Sequence, residues 1–78
     1  MQDKDITDYI INDMGLEVGS CFFQKFDTKT QLIVELHDKI SAKQLRKIEL
    51  QTGTALDSLQ LRYNPIHDHH CVDLVFKK

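Results

Sequence analysis

The chain holds two cysteines, one proline, three glycines and no tryptophan. Cys21 and Cys71 are too few to staple a small disulfide scaffold, so reduced, half-buried thiols are expected. Apolar residues come in short runs such as Leu32-Ile33-Val34, far below the roughly 18 that a membrane span needs. The acidic N-terminus lacks the basic and apolar regions of a signal peptide, and a cytoplasmic location is expected. Neither sign of charge dominates. A net charge of −2 and a pI near 6.0 remove the generic electrostatic case for nucleic acid. The glycines, at 15, 19 and 53, are scattered, so there is no Gly-rich phosphate loop.

What is present is the composition of one small globular domain spanning residues 1–78, with 41% hydrophobic and 28% charged residues. The charge is uneven along it. Asp3, Asp5, Asp8, Asp13 and Glu17 face Lys4 in the first twenty residues, whereas Lys43, Arg46 and Lys47 face Glu49 further on.

Ser41 and Gln44 stand at capping-box spacing, and Ile40 and Leu45 take the flanking staple positions. They predict a helix over 41–52, closed by Gly53, with Leu45, Ile48 and Thr52 on its inner stripe. The same grammar predicts a first helix over 5–14. Asp5 would cap it, Ile6, Ile10 and Met14 would face inward, and Gly15 would end it. A strand pair follows each glycine: 20–26 with 31–37 across turn chemistry at 27–30, and 56–63 with 70–77 across Asn64-Pro65. Alternation sets Leu59, Leu61, Tyr63, Val72, Leu74 and Phe76 inward. The fold class is therefore α+β in the order αββαββ. Its simplest form is a four-stranded antiparallel sheet with both helices on one face.

The chain can also be read as two αββ units, 1–39 and 40–78. At an offset of 38 it pairs Ile10 with Ile48, Gly15 with Gly53, Ser20 with Ser58, Val34 with Val72, Leu36 with Leu74 and Lys39 with Lys77.

Residues 67–71, His-Asp-His-His-Cys, draw attention because imidazole nitrogens and a thiolate ligate zinc. His67, His69 and Cys71 would share one strand face, and His37 or Asp73 could join them. Structural zinc sites commonly combine two separated ligand pairs, and no second pair exists here, so no metal or cofactor is assigned. Residues 68–71 also spell Asp-His-His-Cys, the signature it shares with protein palmitoyltransferases. Those enzymes span the membrane several times and carry a cysteine-rich region, so the resemblance stops at four residues. No nucleophile, base and orienting group can be assembled from the sequence, and the chain is not expected to be an enzyme.

The outward face of the sheet points to an interface. Ile33, Val75 and either Phe22 with Phe26 or the alternate set Cys21, Phe23 and Lys25 would stand on it, beside Glu35, His37, Gln60, Arg62, Cys71 and Asp73. Contiguous apolar groups on a wet face usually mark protein contact. Lys43, Arg46 and Lys47 would add a basic helix face for an acidic partner. The expected function is a small protein-binding module, either a homodimer or a regulator, inhibitor or adaptor of the size that phages and mobile elements carry. A single-stranded nucleic-acid-binding domain, stacking bases on Phe22 or Phe26 near Arg62, is the alternative. A metal or thiol site at 67–71 is the third reading.

Overall fold

The structure is a computed structural model and describes residues 2–66 and 68–78. It is α+β in the order αββαββ: α1 (Asp3–Asp8) continuing as a π-helical turn (Tyr9–Asp13), β1 (Val18–Phe26), β2 (Lys29–Leu36), α2 (Ala42–Thr52), β3 (Ala55–Asn64) and β4 (His69–Lys77). The four strands make one antiparallel sheet in the order β1-β2-β4-β3, so β1 and β3 are its edges.

α2 starts where the capping chemistry demands. Gln44 N–H donates to Ser41 Oγ at 3.1 Å, and Ser41 N–H donates to Gln44 Oε1 at 2.9 Å. Gly53 closes it at φ 67, a left-handed geometry that costs a β-carbon-bearing residue more. The first helix departs from expectation at its start. Its N-cap is Gln2, and Asp5 instead sits in the first turn, where its carboxylate accepts the Gln2 N–H at 3.0 Å. Gly15, at φ 70, ends this segment, and Leu16 N–H reaches back to the Ile10 carbonyl at 3.1 Å.

Ile6 and Ile10 from the first helix and Ile48 from the second meet Leu32, Val34, Leu36, Leu74 and Phe76 from the central strands, all 0–1% exposed. Parity on β1 is settled by pairing. Cys21 and Phe23 sit opposite the inward Val34 and Leu32, while Phe22 sits opposite Ile33 on the outer face.

The offset of 38 holds for the helix-ending glycines and for the β-bulges, which fall at residue 19 in β1 and residue 57 in β3. It does not hold beyond the hairpin loops, which corrects the Val34–Val72 and Leu36–Leu74 matches. Phe26 and Lys29 flank a loop of two residues, whereas Asn64 and His69 flank one of four. The longer loop raises the offset to 40. Val34 then corresponds to Leu74, its direct partner across the β2–β4 pair, and Leu36 to Phe76.

Candidate functional site

The helix layer is shorter than the sheet it covers. Ten residues of β3 extend about 33 Å, whereas the eleven of α2 rise only about 16 Å. α2 also carries few apolar groups. Ile48 and Thr52 are buried, Leu45 is half-buried, and Leu50 points away at 68% exposure. The β3–β4 end of the sheet therefore runs out from under the helices. Leu59, Leu61 and Tyr63 lie on the helix side, opposite Leu74, Val72 and His70, yet they are 45%, 71% and 54% exposed. This corrects their expected burial. Leu59 and Leu61, together with Ile40, Lys39, His70 and Val72, border an open groove of about 720 Å³.

The two sheet edges differ in how they are finished. On β1, Asp3 Oδ1 accepts the Phe23 N–H at 2.8 Å, so α1 protects the edge. On β3, Glu49 Oε2 accepts the Leu56 N–H at 2.7 Å at the strand's start. From Asp57 to Tyr63 every residue is exposed. An edge with free ladder groups and apolar side chains on one face is a template for a further strand.

The outer face carries a polar chain across three strands. Arg62 on β3 binds both carboxylate oxygens of Asp73 on β4, and its Nη2 donates to Glu35 Oε2 on β2 at 2.5 Å. Glu35 Oε1 lies 3.2 Å from His37 Nε2. Hydrogen bonds and charge from Asp73, then from Glu35, push the Arg62 guanidinium further above its already high range. Beside this chain, His37 and His69 place their ring centroids 4.7 Å apart, tilted at 41°. Cys71 lies with them, only 2% exposed despite its outward parity. Ligand atoms of His37, His69 and Cys71 are within 4.8 Å of one another.

Phe22, Ile33 and Val75 do form one outward row, Phe22 at 40% exposure and the other two half-buried. Phe26, also outward, is 49% exposed at the hairpin end. Arg62 is not near these rings. It stands on the opposite edge strand from Phe22, about 14 Å away across three strand spacings, and two carboxylates occupy it. The base-stacking constellation is therefore not assembled. Lys43, Arg46 and Lys47 are exposed on α2, with Arg46 bonded to Glu49 at 3.2 Å. His67 falls outside the described residues. Cys21 and Cys71 are both free thiols on opposite faces of the sheet, with β2 between their strands. The sequence left His37 or Asp73 to join the histidine–cysteine cluster, and the structure brings His37 to it. The bare edge was missed, because it follows from strand order, which local patterning does not carry.

No family model matches the chain, and neither curated proteins nor solved structures yield a match.

Proposed function

We propose that this chain is a non-enzymatic protein-binding module that works by strand addition at β3, and that the strand it fits is β3 of a second copy. The supporting observation is the continuous exposure of Asp57–Tyr63, with Leu59, Leu61 and Tyr63 uncovered on one side. Main-chain bonds along an open edge supply affinity, and alternate side chains supply specificity.

The strand's own pattern favours a self-match. An antiparallel pair centred on Leu61 sets Leu61 against its copy and Leu59 against Tyr63 of the second copy. Ser58 then faces Asn64, and Gln60 faces Arg62 on the outer side, so no like charges meet. Such a contact is isologous and closes as a dimer, which removes the edge from further assembly. It also extends the apolar groove across the junction, where the Leu59 and Leu61 side chains of both copies lose contact with water.

Light scattering coupled to size-exclusion chromatography tests this. Wild-type protein is expected to elute with a dimer's mass, and Leu61→Lys with a monomer's mass and an unchanged far-ultraviolet spectrum. A wild-type monomer at high micromolar concentration, or a dimer that tolerates Leu61→Lys but is lost in Val75→Asp, overturns the β3 assignment.

A further inference from the structure

We infer that His37, His69 and Cys71 form a binding site for one Zn²⁺ ion on the outer face of the sheet, at the end of β2 and β4. Two imidazoles and a thiol offer the borderline-soft ligands that zinc takes in tetrahedral sites. Their ligand atoms lie within 4.8 Å of one another. A tetrahedral zinc with bonds of about 2.0–2.3 Å needs ligand separations of about 3.3–3.8 Å, so closing on the ion takes on the order of 1 Å of side-chain movement. His37 reaches the cluster from β2's end while His69 and Cys71 alternate along β4, so the site joins two strands.

The surroundings fit a ligand set better than a chance cluster. Glu35 Oε1, at 3.2 Å, can accept a hydrogen bond from His37 Nε2–H, a tautomer that leaves the lone pair on Nδ1 for the metal. Glu35 is itself held by Arg62. Gly19 lies directly beneath this pair. A β-carbon there would stand 2.6 Å from His37 Nε2 and closer still to Glu35 Oε1, so glycine leaves the space the pair occupies. Carboxylate, imidazole and thiol thus stand in the order a metal site requires, with Cys71 at the buried end, 2% exposed.

Binding forms a bond from Zn²⁺ to each imidazole nitrogen and to Cys71 Sγ. The thiol proton leaves to solvent, so one proton is released from Cys71 per ion bound. Three protein ligands leave the fourth position to water.

Co²⁺ titration followed by Zn²⁺ displacement reads this directly on the wild-type protein. One equivalent of Co²⁺ is expected to give a thiolate-to-cobalt charge-transfer band and the intense visible bands of tetrahedral cobalt, both abolished by one equivalent of Zn²⁺. The spectrum should persist in Cys21→Ser and His70→Ala, and disappear in His69→Ala and Cys71→Ser. Glu35→Gln is a positioning variant, expected to keep the band but weaken affinity by about 10–100-fold. Absence of the charge-transfer band in wild-type protein overturns the site even if Cys71→Ser fails to fold. So does a band that survives Cys71→Ser or vanishes in Cys21→Ser.

Discussion

Ser41 shows how a single side chain fixes an element's start. Its hydroxyl satisfies the Gln44 N–H, and Gln44 returns the bond to the Ser41 N–H, so two donors with no helical partner are met together. Ser41→Ala is expected to cost about 1 kcal/mol, read from the urea midpoint at unchanged slope. No measurable change would mean that the cap is dispensable. The two thiols make a second residue-scale case. Burial raises the Cys21 pKa, with the nearby Asp3 charge adding to it against a hydrogen bond with Thr7. Cys21 should therefore react slowly with iodoacetamide in the native protein and at the rate of an ordinary thiol in denaturant. Fast native labelling at Cys21, mapped by mass spectrometry, would contradict its half-buried placement. Ser41, Gln44, Gly15 and Gly53 were legible in the sequence because caps are local chemistry. The partners of Arg62 were not, because Asp73 and Glu35 reach it from other strands.

At the scale of elements, Glu49 ties the end of α2 to the beginning of β3. Its Oε2 accepts the Leu56 N–H and its Oε1 holds Arg46. The backbone bond from Leu56, then Arg46, draws the Glu49 pKa below the ordinary glutamate value. A folded-state pKa lowered in this way contributes stability that is present above the unfolded glutamate pKa. That stability is lost as the pH falls through the lower folded value. Glu49→Gln should accordingly lower the urea midpoint at neutral pH and flatten its decline on acidification. An unchanged acid limb would show that the carboxylate does not couple to folding. Element type and order were readable because periodicity switches cleanly between helix and strand, and because Gly15, Gly53 and Pro65 punctuate it. The π-helical turn at Tyr9–Asp13 and the shift from offset 38 to 40 were hidden. Both depend on where one or two extra residues are accommodated, and composition does not mark that place.

For the whole molecule, the decisive proportion is between sheet and helix layer. Long hairpins under two short helices give an elongated body of 38 × 26 × 22 Å. Alternation alone assigned Leu59, Leu61 and Tyr63 to the correct side of the sheet, but it could not tell that nothing would cover them. Among the described residues no helix is long and apolar enough to cross a membrane. The one arginine on the outer face is held by two carboxylates, and the net charge is −2. Single-stranded oligonucleotides are therefore expected to bind no tighter than about 10⁻⁴–10⁻⁶ M at physiological salt, measured by fluorescence anisotropy. Tight binding that is lost in Arg62→Ala would reverse that expectation.

The proposed pairing of β3 with β3 of a second copy can be observed between molecules. Isotope-filtered nuclear Overhauser spectra of a one-to-one mixture of ¹³C,¹⁵N-labelled and unlabelled protein test it most directly, since they record only contacts between copies. Cross-peaks are expected to join Leu61 to Leu61 and Leu59 to the Tyr63 ring. Cross-peaks confined to Phe22, Ile33 and Val75, or none at a concentration where the wild type has a dimer's mass, would contradict it.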